Sequence, residues 1–512
     1  MIPMNPSHRI HSRAAVCAPL FAALLVAALL AACTVGPNFV RPTPQAPAHW
    51  SAQATASSAE PPQRSSVTEQ SADLRAWWSG FDDPKLDSLV DRAMIANLDL
   101  RAAVLRIDEA RAQRAIFAAA YGPTLSVDAS FERQRFSVTT PTGALFNAVG
   151  SAHVPGGANV SVPNPYNQFQ LSAGASWEID LFGRIRRTVE TADANVQVSV
   201  EDHRAVMVSV LADVSQSYME LRGAQARLAI AKENLHTIDE LLDLTRQRRA
   251  AGLTTEIDVS NATAQSLVTR AEVPAFEFEI TQSINQLSQL LALAPEALRD
   301  ELDSAAPVPA VPTDVSIGLP AELARRRPDI REAEANLHAA TAQIGVAVAS
   351  LFPRLTLGAT GGFQSSGAGN LLEWASRFAT VGPSLDLPVF DRGRWKTVRL
   401  YDVRTQEAAL AYQRTVLNAL HEVENALAAY GADQQRRAWL DATIAQNRDA
   451  LTLSRQRYAS GLATFIEVLD AERTLQQNQL ALADSTSAIS IDLVRVYRAL
   501  GGGWQQSPPA AM

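Results

Sequence analysis

A stretch of seventeen residues occurs twice in this chain, and any fold has to accommodate both copies. Residues 246–262 read RQRRAAGLTTEIDVSNA and residues 455–471 read RQRYASGLATFIEVLDA, with ten identities at a fixed offset of 209. Gly252 matches Gly461, Leu253 matches Leu462 and Val259 matches Val468, while Asp258 matches Glu467 and so keeps the carboxylate. Each copy lies between two long runs of helical pattern, so each Gly-Leu marks the bend of a helical hairpin. The chain is a duplication of one hairpin-bearing module.

The outgoing arms of the hairpins are unusually long. Only Gly223 interrupts Ile185 to Ala250, and only Gly431 interrupts Trp395 to Ser460. At 1.5 Å per residue each arm reaches about 100 Å. Met207, Leu211, Val214, Tyr218, Leu221 and Leu228, with Gln225 as the polar member, follow a four-three spacing that Val416, Leu420, Val423, Leu427 and Tyr430 repeat at the same offset. That 3.5-residue period is a coiled-coil seam. The return arms are 255–293 and 464–500; Pro274 in the first stands where the second has Ala483, which predicts a kink. A further helix is expected unbroken from Pro84 to Ala120, ended by Tyr121-Gly122-Pro123.

Between these helices the period changes to two. Leu125, Val127, Ala129 and Phe131 alternate with Ser126, Asp128, Ser130 and Glu132. Phe169, Leu171, Ala173, Ala175, Trp177, Ile179 and Leu181 alternate with Gln170, Ser172, Ser176, Glu178 and Asp180. The second module repeats the device with Leu355, Leu357, Ala359 and Phe363, then Val381, Leu385, Leu387 and Val389. Residues 137–168 read as a long loop. Strands of about a dozen residues suit a tilted membrane crossing, with soluble hairpins as the alternative. Four strands cannot close a barrel, and open edges are not tolerated in lipid, so membrane strands would oblige several copies to share one barrel. If the polar face lines a lumen, Asp128, Glu132, Glu178, Asp180 and Asp386 predict a preference for cations.

At the N-terminus His8, Arg9, His11 and Arg13 precede a charge-free apolar run, Ala14 to Ala32, that ends Leu30-Ala31-Ala32-Cys33. This is a secretory leader, and Leu-Ala-Ala-Cys resembles the bacterial lipobox. Cys17 would leave with the leader, so Cys33 would become the acylated N-terminus and no disulfide could form. Thr34 rather than Asp after the Cys points, by resemblance to sorted lipoproteins, to the outer membrane. The expected organisation is a removed signal peptide 1–32, a lipid-anchored extended segment 33–83, repeats at 84–298 and 320–501, a Pro-rich linker 299–319, and a tail 502–512.

Function classes narrow quickly. The net charge of −8 disfavours a nucleic-acid partner. A GxxxxGK[ST] loop and an HExxH pair are both missing from the sequence, and its eight His lack ligand spacing, so neither an enzyme nor a metal or cofactor protein is expected.

Cys33-Thr34-Val35-Gly36-Pro37, Leu323 to Ile330 (LARRRPDI), Asp180-Leu181-Phe182-Gly183-Arg184, Val389-Phe390-Asp391-Arg392-Gly393 and the two Gly-Leu bends together resemble the TolC and OprM family of outer-membrane efflux channels, in its acylated branch. The resemblance covers nearly all of the mature chain. It implies a mainly α fold with a transmembrane β-barrel: a homotrimer with twelve strands and a twelve-helix periplasmic tunnel. It also implies outer-membrane lipid around the barrel, a periplasmic adaptor, and an inner-membrane pump of the RND type. A duct for ATP-driven protein or peptide secretion, or a pore-less structural coiled coil, are the competing readings.

By the same resemblance Glu467 and Asp470 are acidic residues of a constricted periplasmic mouth, with Tyr458 as its aromatic and Asp258 as the partner on the other hairpin. Arg246, Arg248, Arg455 and Arg457 are candidate counter-charges. Gly252-Leu253-Thr254 and Gly461-Leu462-Ala463 are the expected adaptor-contact tips. Glycine alone can be explained by a left-handed helix end, an exposed leucine less easily.

Overall fold

The computed structural model describes residues 34–43, 46–51, 65–71, 73–141, 143–144 and 164–506. Cys33, the leader before it and most of the 137–168 loop lie outside the described residues. Two compact units emerge: Met1–Val40, Arg111–Asn195 and Leu337–Glu407 in one, and Arg41–Ala110, Val196–Asn336 and Ala408–Met512 in the other.

The first unit holds the strands. β2 (Thr124–Gln134), β3 (Tyr166–Ile179), β5 (Arg354–Ser365) and β6 (Arg377–Asp386) form an antiparallel sheet in the order β2-β3-β5-β6. The register aligns the period-two pattern across all four strands. Leu125, Ala175, Ala359 and Val381 stand in one row, and Val127, Ala173, Gly361 and Ala379 in the next. Among the described residues nothing covers the apolar face: Leu125 is 77% exposed, Val127 72% and Val381 84%. The Trp177 indole donates to the Tyr121 carbonyl at 2.8 Å, and Phe182 stacks on Phe352 at 4.8 Å, which collects aromatic side chains where β3 ends and β5 begins.

The expected lumen charge is partly compensated. Glu178 accepts two hydrogen bonds from Arg184, at 2.9 and 2.8 Å, with Arg354 3.8 Å away. Asp180 accepts from the Ile185 and Arg186 amides at 3.1 and 2.9 Å and so satisfies free N–H groups at the start of the next helix. Asp386 is the register partner of Arg354. Among the described residues Asp128 and Glu132 have only neutral hydrogen-bond donors, Ser126 and Gln134, and Asp386 has no ion pair, since the Arg354 guanidinium lies toward Glu178. The alternation could not show the arginines that the strand ends deliver to Glu178 and Asp180.

The second unit holds the helical seam. α3 (Arg184–Ala250) and α6 (Arg392–Ala459) are the outgoing arms, 67 and 68 residues long, and α4 (Glu256–Leu290) and α7 (Phe465–Ala499) are the returns. Met207, Leu211, Val214, Tyr218, Leu221, Val416, Val423, Leu427 and Tyr430 are buried in one core, with Leu228 and Leu420 half-buried against it. The helix of α4 continues through Pro274 without a gap in its span.

The helix expected at 84–120 is two. α1 (Pro84–Ala96) and α2 (Leu98–Ala118) meet at Asn97, whose ψ of 131° leaves the helical region. Asn97 is buried and makes the break itself: its side-chain oxygen accepts from the Asp99 and Leu100 amides, and its Nδ2 donates to the Leu290 carbonyl. α1 is capped by Asp83, which also accepts from the buried Tyr218 hydroxyl at 2.8 Å.

Parts of the expected extended segment 33–83 are docked on the rest of the chain. Trp50 is buried and donates to the Gly318 carbonyl, and β1 (Ser66–Thr68) pairs in parallel with β4 (Asp314–Ser316) inside the expected linker. α5 (Pro328–Ala349) leads into the second strand pair.

Gly223 sits where α3 passes α7. A Cβ there would lie 2.8 Å from Ser487 Cβ, closer than side-chain atoms tolerate. Gly223→Val should therefore cost about 2 kcal/mol by overpacking, read as a lower midpoint of thermal unfolding, whereas Gly223→Ala should cost less.

Candidate functional site

The duplicated stretch forms two helical hairpin bends of the same construction. α3 ends with Gly252 at φ 72° and α6 with Gly461 at φ 74°, a backbone that residues with a Cβ rarely adopt. In the first, the Leu253 amide donates to the Arg248 carbonyl at 2.8 Å; in the second, the Leu462 amide donates to Arg457 at 2.9 Å. These are Schellman ends, and they turn the leucine outward. Leu253 is 68% exposed and Leu462 72%. Ile257 and Ile466, again 209 apart, are exposed as well and were not singled out in the sequence. Their signal was available: an apolar residue conserved between the two copies, one position before the acid.

The return helices begin with matching capping boxes. The Thr255 hydroxyl accepts from the Asp258 amide while the Asp258 carboxylate accepts from the Thr255 amide at 3.1 Å, and Thr464 and Glu467 repeat the arrangement. Two of the expected gate acids thus have a local duty inside their own chain. The Thr464 amide, opposed by slight burial and helped by the Thr464 hydroxyl and Arg457, holds the Glu467 carboxyl below its ordinary pKa. Burial pushes Asp258 up, but hydrogen bonds from Thr254 and Thr255 outweigh it and the net direction is also down. Asp470 is exposed and, among the described residues, makes no ion pair.

Tyr458 is at the edge of a small core with Leu241, Phe465, Val468 and Leu475. Its ring lies 5.7 Å from that of Phe465, and the Arg248 guanidinium from the first hairpin sits 4.5 Å from its centroid. This cation–π contact ties the end of α3 to the end of α6 within one chain. The other candidate counter-charges are spent nearby: Arg246 on Asp243 at 3.2 Å, Arg455 on Glu472 at 2.9 Å, and Arg457 on the Leu462 carbonyl at 3.3 Å. Among the described residues none of the four pairs directly with Glu467 or Asp470. Glu472, only 2% exposed, is the residue the repeat could not flag, because its counterpart in the first copy is Thr263. The Tyr458 hydroxyl and Arg248 Nε are buried without a hydrogen-bond partner among the described residues.

Among the described residues there is no cluster of His, Cys, Asp or Glu that could hold a metal, and no helix long and apolar enough to cross a membrane. The sheet is the element with a lipid-compatible face.

Comparison with known proteins agrees with this geometry. The pattern of the outer membrane efflux protein family matches residues 89–293 and 319–502, one half in each repeat. The chain is 34% identical to outer membrane protein OprJ of Pseudomonas aeruginosa, over 94% of this chain and 96% of that one. It is 31% identical to the probable efflux pump outer membrane protein TtgC of Pseudomonas putida, over 95% and 96%. Among solved structures it is similar to the outer-membrane channel OprN, with a TM-score of 0.81 and 35% identity over 92% of this chain and all of that one. A duplicated helix-strand-strand-helix module, an uncovered apolar sheet face and these matches lead to one conclusion: the chain belongs to the outer membrane efflux protein family, mainly α with strands for a shared transmembrane β-barrel.

Proposed function

We propose that the chain is the outer-membrane exit channel of a tripartite efflux pump, in which three copies close one twelve-stranded barrel and receive cargo from a periplasmic adaptor above an inner-membrane pump. The observation that carries this reading is the four-stranded sheet whose apolar face is exposed and whose edge strands, β2 and β6, have no outer partner among the described residues. In lipid such edges must be paired, and further copies of the same sheet supply the pairing. Relatives named for efflux of antibiotics and toluene and for pyoverdine export favour small-molecule cargo over protein. Single-channel recording of the purified protein in planar bilayers tests the reading. A discrete conductance is expected, and its absence would leave only a pore-less coiled coil. A deletion strain should gain drug susceptibility with an unchanged secretome; the reverse pattern would favour the secretion duct.

Lipid attachment at Cys33 is supported by where Val35, two residues on, sits. The Val35 amide donates to the Phe182 carbonyl at 3.3 Å, just past the end of β3, which brings Val35 close to the aromatic pair Phe182 and Phe352. Aromatic rings of this kind suit the edge of a bilayer.

At the hairpin tips the four exposed apolar residues Leu253, Leu462, Ile257 and Ile466 form the docking surface for the adaptor, and Glu467, Asp470 and Tyr458 the periplasmic gate. Buried polar atoms without partners at Tyr458 and Arg248 suit an element that has to open, since each costs about 1–3 kcal/mol while it stays closed. Capping already employs Glu467, so Asp470 is the acid free to set the field of the mouth.

Leu253→Glu and Leu462→Glu should each leave the trimer intact and reduce drug tolerance to that of the deletion strain; unchanged tolerance in both would remove tip docking. Asp470→Asn should lower cation preference without loosening the tip, whereas Glu467→Ala should also speed amide exchange over residues 464–468. Acid should have the same effect in the unsubstituted chain. Glu467 is depressed on folding, so its cap is intact above the ordinary carboxyl pKa and is lost as pH falls through the lower folded value. Exchange at the tip that is flat through this range, after correction for intrinsic rates, would contradict the capping role.

A further inference from the structure

Arg187, on the first turn of α3, is only 4% exposed, yet its guanidinium is directed at a segment about 150 residues earlier in the chain. Its Nε donates to the Val35 carbonyl at 3.3 Å, and its Nη2 to the Gly36 carbonyl at 3.4 Å and to Asn38 Oδ1 at 2.7 Å. Nη1 is held by Glu190 at 2.8 Å, and the other Glu190 oxygen meets His338 Nε2 at 3.1 Å. Phe39 stacks on that His338 ring at 4.5 Å and 17°. Gly36, at φ 92°, lies against Gly345, where an added Cβ would come within 2.6 Å of the Gly345 Cα. Gly345 in turn leaves room for the Arg187 stem, since a Cβ there would lie 2.7 Å from Arg187 Cδ.

Two sequence motifs that the channel reading leaves unused, Thr34-Val35-Gly36-Pro37 and Asp180 to Arg184 with the arginines after it, are therefore two sides of one contact. We propose that Arg187, with Glu190, His338 and Gly345, forms a binding site for the strap 34–39, and that this site, rather than the acyl chains, fixes the N-terminus to the channel. The site reads backbone carbonyls, one amide side chain and one aromatic ring, so it recognises a short extended peptide with glycine at its third position after the cysteine. A buried guanidinium stripped of these acceptors would be left with unmet donors, which gives the strap a large energetic weight for six residues. The acyl chains then supply membrane affinity, and the strap supplies position. This rests on the lipid-anchor reading of Cys33 only for the labelled arm of the test below.

Chymotrypsin cleavage after Phe39 reports the docking directly, because Phe39 must leave the His338 ring to be cut. Full-length protein labelled with radioactive palmitate in outer membranes should retain its label under chymotrypsin. Arg187→Met keeps the aliphatic stem but removes the donors; it should still be labelled and should release the label at least 10-fold faster. Gly36→Val, which changes the strap and leaves α3 untouched, should do the same even if Arg187→Met destabilises the helix start. Cys33→Ser behind a non-lipoprotein leader should keep residues 34–39 protected, read by mass spectrometry of the N-terminus. Unchanged protection in both Arg187→Met and Gly36→Val would overturn the site. Loss of protection in Cys33→Ser alone would assign the positioning to the lipid instead. An unlabelled wild-type chain with a protected strap would remove the lipid anchor and leave the strap site standing.

Discussion

The constraint on which this structure depends is the pairing of two strand edges. β2 and β6 present 11 and 10 residues along edges that find no partner among the described residues. In an antiparallel ladder about half of the backbone groups on such a strand point outward, roughly five N–H and five C=O per edge. Each would cost several kcal/mol in hydrocarbon, a total of tens of kcal/mol against a net fold stability of about 5–15. A monomeric membrane form is excluded by that comparison, whatever the helices contribute. Oligomerisation is thus a condition for the sheet to enter lipid at all, and the symmetric assembly is the means of closing it.

The duplication shows how one local solution was kept while its use diverged. Both bends have a left-handed glycine, a Schellman bond to the residue five back, and a Thr-acid capping box. Among the ten identities those features account for Gly252 with Gly461 and Thr255 with Thr464, while the capping acid changes from Asp258 to Glu467 and keeps its charge. The differences fall on side chains that leave the backbone alone: Arg249 against Tyr458, Asn261 against Asp470, Thr263 against Glu472. In the second copy these changes bring an aromatic ring, an unpaired exposed acid and a buried acid to the bend. Repeat identity therefore marks what the turn needs, and repeat difference marks where a specialised function can lie.

The same division explains what was legible in the sequence. Period two, the 3.5-residue seam and the Gly-Leu bends are local patterns, and the strands, long helices and tips follow from them. The break at Asn97 was not legible, because an asparagine within a helical run declares itself only when its amide finds the Leu290 carbonyl across the fold. Nor was the pairing of Ser66–Thr68 with Asp314–Ser316, two three-residue segments whose partnership is set entirely by the packing of the core around them. Arg187 looked like one of several arginines at a strand exit; only its burial against residues 35–38 distinguishes it.

The sheet carboxylates show the consequence for permeation. Read from alternation alone, the polar face carries five negative charges per chain. The strand ends place Arg184 on Glu178 and the start of α3 on Asp180, so Asp128, Glu132 and Asp386 are left without an ion pair among the described residues. A charge paired at 2.8 Å contributes little field beyond about one Debye length, near 8 Å in physiological salt, whereas an unpaired carboxylate in a narrow opening contributes most of it. At the tip Glu467 is engaged by backbone donors but keeps its charge, and Asp470 is exposed beside it on the next helical turn. On the gate reading proposed above, selection by charge is expected at the hairpin mouth, with a further contribution from Asp128, Glu132 and Asp386 in the sheet.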